Sequence, residues 1–229
     1  NPRVPTTARL LAGFESEAEA GSAQAILGGV VTPVDPTAWD TPDVAVLEVG
    51  DRSLTIDAGH SFGHGRHPTT QLCIQALEHH LQPGNSVLDV GCGGGAATMA
   101  LAEHLTAAVG VDQSEGMLAV FAEEARARHI EPPTIAGTWP AVATQAGRAD
   151  VVVCHHVAYN VADLVPFVRA LDAAARWRVV MELTLTHPQT SNSPLWQQFW
   201  GLDRPEGPTA EDAHAVVEEA GIAARLEFG

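Results

Sequence analysis

The chain contains no lysine. All twelve of its basic residues are arginines, set against twenty-eight acidic ones, for a net charge of −16. A surface this acidic repels a phosphate backbone, which argues against general nucleic-acid binding and against docking on anionic membranes. A local arginine pocket stays open. Cysteine is scarce too: Cys73, Cys92 and Cys154 are scattered without metal-binding spacing. That excludes a disulfide framework, points to a reducing compartment and leaves no metal site to expect. No apolar run approaches the roughly 20 residues of a membrane-spanning helix, and no signal-peptide pattern is visible, so a cytoplasmic location is expected. The chain opens on Asn1 rather than Met and is expected to belong to a longer gene product.

What is present is 229 residues, 45% of them apolar, enough for one α/β domain with a short extension. The organising stretch is Val87-Leu88-Asp89-Val90-Gly91-Cys92-Gly93-Gly94-Gly95. An apolar run ends on an acid, breaks into glycines and continues into an Ala- and Met-rich segment over 96–105. The pattern predicts strand, glycine turn and helix, the opening unit of an open α/β sheet, where ligands bind beyond the carboxyl ends of the strands. Gly91, Gly93 and Gly95 let the backbone approach a ligand closely. A second apolar run, 107–111, ends in Asp112. A carboxylate there can accept from both ribose hydroxyls, so an adenosine-bearing ligand is expected.

Asp89 discriminates between two such ligands. A carboxylate just before the glycines would repel the pyrophosphate of NAD, whereas S-adenosylmethionine carries an ammonium and a sulfonium that it favours. The stretch Val87–Gly95 resembles the first motif of the class I S-adenosylmethionine-dependent methyltransferases, and the likeness extends over roughly 57–228. It implies that Asp89, Gly91, Cys92 and Gly93 hold the methionine side and that Asp112 and Gln113 hold the ribose. Asp112, Ser114, Met117 and Leu118 fit the family pattern D-x-S-x-x-M-L, which places Met117 near the adenine; core packing is its other reading. Thr138 and Trp139 follow the short third strand at the place where the family contacts the adenine amino group. Capping of the core is the other reading of Trp139.

A second resemblance lies upstream. Phe62-Gly63-His64-Gly65-Arg66-His67-Pro68-Thr69-Thr70 resembles a loop of the bacterial methyltransferases that modify lysines of a ribosomal large-subunit protein. It implies cofactor roles for Phe62, Gly63, Gly65, His67, Thr69 and Thr70. A helix is predicted over 69–81, with Pro68 suited to its first turn. That family carries a separate substrate-recruiting domain before the loop, which residues 1–50 do not clearly supply.

The acceptor side is read from the later strands. Residues 149–154 form a buried strand that delivers His155, His156, Tyr159 and Asn160 to its exit, where this superfamily faces the transferring methyl. Adjacent histidines on an extended chain point opposite ways, so one is expected to face the site and the other to pack. Glu182, late in the next strand, is either a substrate or base contact or the structural partner of a histidine. His155, His156 and Glu182 are the catalytic candidates, and His155 is also a candidate for cofactor binding. Tyr159, Asn160, His187 and Trp196 are the substrate candidates, with Trp196, Phe199 and Trp200 on one helical face. A hairpin is expected over 44–56, a helix over 161–175, a capped helix from Thr209 and a sixth strand over 222–228.

The expected architecture is α/β: a Rossmann-like class I methyltransferase sheet with helices on both faces, its final antiparallel strand lacking residues to form it. Residues 1–50 are read as an N-terminal extension of helices and loop, and 51–229 as the methyltransferase domain. The expected reaction moves a methyl from S-adenosylmethionine to an N or O nucleophile and leaves S-adenosylhomocysteine. A small-molecule acceptor is favoured over a protein because the surface is acidic. The alternatives are a protein lysine methyltransferase and a non-catalytic S-adenosylmethionine-binding protein. A monomer or homodimer is expected.

Overall fold

The computed structural model describes residues 44–49, 52–57 and 68–228, together with Gly21, with side chains from Leu72 onward. The chain divides into two compact units, Asn1–Thr41 and Pro42–Gly229.

The second unit opens on a hairpin of β1 (Val44–Val49) and β2 (Arg52–Asp57), paired antiparallel. α1 (Pro68–His80) precedes β3 (Asn85–Val90), which runs into the glycine turn and α2 (Ala96–Ala100). Then come β4 (Leu105–Asp112), α3 (Glu115–Ala127), β5 (Thr134–Ala136), the short α4 (Ala143–Ala146) and β6 (Ala149–His155). α5 (Leu164–Ala174) leads to β7 (Ala175–Glu182), followed by α6 (Ser193–Trp200) and α7 (Ala210–Glu219).

The main sheet has the order β5-β4-β3-β6-β7 and every pairing is parallel. The chain winds outward from β3 to β5 and then crosses back to lay β6 on the other side of β3. The switch point therefore lies between β3 and β6, and a crevice opens at their carboxyl ends.

Side-chain alternation explains how both faces are covered. Leu88 and Val90 of β3 join Val152 and Cys154 of β6 against Phe167 and Leu171 of α5. Val87, Val151, Val153 and Val180 face the other way, onto Ile74 and Leu77 of α1. A third cluster packs Phe121 of α3 against Met99, Ala108 and Ile130. Burying each such side chain contributes about 1.5–3 kcal/mol before entropy is counted. The local signals at two helix starts hold as expected. Ser114 caps α3 by accepting from the Met117 N–H at 3.3 Å. Thr209 and Asp212 close a reciprocal capping box on α7.

Three expectations change. The helix expected over 96–105 ends at Ala100, because Leu101 leaves helical geometry and a single 3₁₀ turn, Ala102–His104, leads directly into β4. The helix after β6 begins only at Leu164, behind a 3₁₀ turn at Ala158–Asn160. The strand expected over 222–228 is absent from the sheet. Its alternation suits a strand, but its backbone is committed elsewhere: the Ile222 N–H donates to the Val217 carbonyl at 3.2 Å, and the Ala224 carbonyl lies 3.2 Å from His214 Nε2. Among the described residues the main sheet has five strands, and none is antiparallel.

Candidate active site

The glycine turn is built by backbone bonds across the sheet. The Gly91 N–H donates to the Val111 carbonyl at 2.7 Å, and the Gly95 N–H closes onto the Cys92 carbonyl at 2.8 Å. Gly91 is obligatory for two reasons. Its φ is +73°, and a Cβ there would overlap the Val157 side chain at the exit of β6. Gly93 is different: nothing lies within 4 Å of where its Cβ would be, so this residue faces open space. Its N–H donates to Asp112 Oδ2 at 2.9 Å, and the Ser114 N–H donates to Oδ1 at 2.9 Å. Asp112 thus ties the first glycine turn to the start of α3. Each of its oxygens keeps a lone pair for a further donor.

Asp89 lies two residues beyond Val87, on the α1 side of the sheet. It is buried, and the Thr98 hydroxyl donates to its Oδ2 at 2.7 Å. Burial lifts its pKa to about 7; the Thr98 bond opposes the rise and Asp112 adds to it.

These groups border one cavity of about 650 Å³ at the switch point, within the usual range for small-ligand sites. The expected residues Asp89, Gly91, Cys92, Gly93, Asp112, Gln113, Met117, Thr138, Trp139, His155, His156 and Asn160 all line it. The ring of Trp139 belongs to the core, its Nε1–H donates to the Phe167 carbonyl at 3.2 Å, and it also borders the cavity. Phe62, Gly63, Gly65 and His67 lie outside the described residues. Thr69 and Thr70 fall in the first turn of α1, with their side chains outside that description.

The expectation that one histidine faces the site while the other packs is corrected. Both line the cavity, because His156 adopts φ +58° and breaks the strand alternation. His155 continues the Val151–Val153 face; its Nε2 is buried with no hydrogen-bond partner among the described residues. Burial, with His156 adding to it, holds the His155 pKa down at about 4, so the ring is neutral near pH 7. His156 Nδ1 lies 2.9 Å from Glu182 Oε2, both side chains mostly buried. Glu182 is therefore a histidine's partner at the edge of the site. Tyr159 packs edge-on against His187, ring centroids 5.4 Å apart, and 6.4 Å from the His156 ring. Burial, followed by the charge of Glu182, pushes the Tyr159 phenol up to about 12. Trp196 stands apart from the cavity, stacked on Trp200 at 4.9 Å with Arg204 over its ring.

Sequence reasoning missed Cys73, Val157, Pro166 and Phe167 as wall residues. Val157 was findable, since it directly follows the two histidines. Cys73 sits in α1, and nothing local distinguishes it from a core residue.

The cavity fits S-adenosylmethionine on its own terms. A buried carboxylate suits the cationic end, an outward-facing carboxylate at the end of β4 suits the ribose, and Gly93 leaves room for a ligand against the backbone.

The model of the family "Ribosomal protein L11 methyltransferase (PrmA)" matches residues 36–179. Among curated proteins, the ribosomal protein L11 methyltransferase of Neisseria meningitidis serogroup C is 31% identical over 73% of this chain and 56% of its own length. The chain spans about half the length of the curated relatives it matches. Among solved structures, magnesium protoporphyrin IX methyltransferase from Synechocystis superposes with a TM-score of 0.55 at 22% identity, over 69% of this chain and 74% of that one. The ribosomal protein L11 methylase of Lactobacillus delbrueckii does so with 0.52 at 19%, over 72% and 75%. At such identities the two structures establish the fold.

The family match overturns one expectation. A small-molecule acceptor was favoured because the surface is acidic, but the matched family is named for a protein acceptor. Net charge reports the sign of what is repelled, not the size of what is accepted. The same negative field that excludes phosphate attracts an amine-bearing protein segment.

Proposed function

The chain belongs to the ribosomal protein L11 methyltransferase family, and from that premise we propose that it transfers a methyl group from S-adenosylmethionine to lysine amines of ribosomal protein L11. The observation that carries this reading is the family match across the strands that build the cavity, 36–179. A ribosomal-protein acceptor is consistent with work in the cytoplasm, where ribosomal proteins are made and assembled.

S-adenosylmethionine supplies the methyl on a sulfonium leaving group. Asp89 and the glycine turn hold its methionine end, Asp112 and Gln113 its ribose, and Met117, Thr138 and Trp139 its adenine. His155 lines the cavity on the acceptor side, and its neutral ring can accept a hydrogen bond from an amine without adding a repelling charge. The paired His156 and Glu182 stand beside it, with Asn160 at the cavity wall and Tyr159 packed on His187. Catalysis would come mainly from positioning the amine against the methyl donor within the cavity.

Purified chain is incubated with methyl-labelled S-adenosylmethionine and ribosomal protein L11, and the label is mapped by peptide mass spectrometry. Label on L11 lysines, reduced at least ten-fold by Asp112→Ala, is the expected result. Binding of S-adenosylmethionine without label on L11 would overturn the acceptor.

A further inference from the structure

The methyl-transfer reading gives no task to the thiol in the cavity wall. Cys73 is buried in α1, yet it borders the cavity. Its Sγ, a ring nitrogen of His156 and a carboxylate oxygen of Glu182 all lie within 4.8 Å of one another. The fold explains why they meet. Val180 of β7 packs onto the α1 side of the sheet, and Glu182, two residues later, falls on the same side. His156 comes over from the neighbouring strand through its left-handed backbone, its N–H donating to the Glu182 carbonyl at 3.2 Å.

We propose that Cys73, His156 and Glu182 form a binding site for one divalent cation of the zinc class, with a fourth coordination position open to the cavity. One thiolate, one imidazole and one carboxylate are a donor set that zinc accepts, and three protein ligands with an open position are the arrangement of a site that takes an exchangeable ligand. The sulfur and nitrogen donors argue against magnesium and calcium, which take oxygen. Tetrahedral zinc with bonds of about 2.0–2.3 Å holds its ligand atoms roughly 3.3–3.8 Å apart. His156 Nδ1 and Glu182 Oε2 stand 2.9 Å apart and need to open by only a few tenths of an ångström; Cys73 needs to close by about 1 Å, within reach of side-chain rotation. Coordination replaces the Cys73 S–H bond with a metal–sulfur bond and releases that proton to solvent. Sequence spacing hides the site because each ligand comes from a different element.

The site is independent of the methyl-transfer reading, and its test reads binding rather than turnover. Cobalt(II) chloride is titrated into the metal-free chain and followed by visible and near-ultraviolet absorption. One equivalent should bind with a sulfur-to-cobalt charge-transfer band, absent in Cys73→Ser and weakened at least ten-fold in Glu182→Gln. Circular dichroism establishes that each variant is folded. Should Cys73→Ser not fold, X-ray absorption of the zinc-loaded parent chain decides, with one sulfur at about 2.3 Å and the remaining neighbours nitrogen or oxygen. Lack of a charge-transfer band in the parent chain, its persistence in folded Cys73→Ser, or a zinc shell without sulfur would each overturn the proposal. Saturation by an alkylammonium ion without any cobalt signal would assign the wall to the acceptor amine instead.

Discussion

His156 and Glu182 are joined twice: Nδ1 of the histidine lies 2.9 Å from Oε2 of the glutamate, and the histidine's N–H donates to the glutamate's carbonyl at 3.2 Å. The backbone bond stitches the exits of β6 and β7 together. The side-chain contact sits at 18% and 13% exposure, dry enough that losing one partner leaves the other poorly solvated.

Glu182→Gln keeps the shape and removes the charge. It should lower stability by about 1–3 kcal/mol, read as a shift of the urea midpoint at unchanged slope. A midpoint equal to the parent's would show that the pair contributes nothing to folding.

Asp89 and His155 should oppose each other in the pH dependence of stability. The folded value of Asp89, about 7, lies above its ordinary 3.8. The native state then holds a proton that the unfolded chain has released, and stability falls as pH rises through that window. The folded value of His155, about 4, lies below its ordinary 6.5. Here the unfolded chain takes up a proton that the native state refuses, and stability rises with pH between those values. The two slopes offset each other in the parent chain. Asp89→Asn should therefore gain stability as pH rises from about 4 to about 6.5, and His155→Gln should lose it. Urea midpoints across that range check both, and parallel profiles for the two variants would refute the assignment.

Gly91 and Gly84 separate two costs of a left-handed backbone. Both have positive φ, but a Cβ on Gly84 meets nothing within 4 Å, whereas one on Gly91 strikes Val157. Gly84→Ala should cost about 1 kcal/mol, the conformational term alone. Gly91→Ala should cost roughly 2 kcal/mol more through displaced packing and should weaken S-adenosylmethionine binding as well. Equal thermal shifts for the two variants would show that the exit of β6 yields freely.

Asp112→Asn preserves size and one acceptor oxygen but turns the other into a donor. It should face the Gly93 or the Ser114 N–H with an amide group, and S-adenosylmethionine affinity should fall by about 1–3 kcal/mol. Calorimetric titration measures this. An unchanged affinity would remove Asp112 from the ribose assignment.

The glycine-turn side of the cavity was legible in the chain because it is local. A strand ending at Val90, a turn that needs glycine and a helix that follows are specified by residues adjacent in sequence, and Asp112 repeats the logic one strand later. The capping residues Ser114 and Thr209 were legible for the same reason. The wall at the exits of β6 and β7 was not. Cys73, His156 and Glu182 come from a helix and two strand ends that only the sheet order brings together, and the left-handed turn at His156 has no sequence marker, since histidine ordinarily keeps φ negative. The acidic composition misled as to acceptor size, because long-range charge selects by sign. Residues 222–228 carry a strand's alternation, and only the packed chain decided that their backbone would bond to α7 rather than to the edge of β7. The sequence by itself determined which stretches turn, cap and bury, since those are short-range choices of backbone and solvent. Tertiary structure decided which distant polar groups share one cavity, because that depends on the order in which parallel strands are laid down.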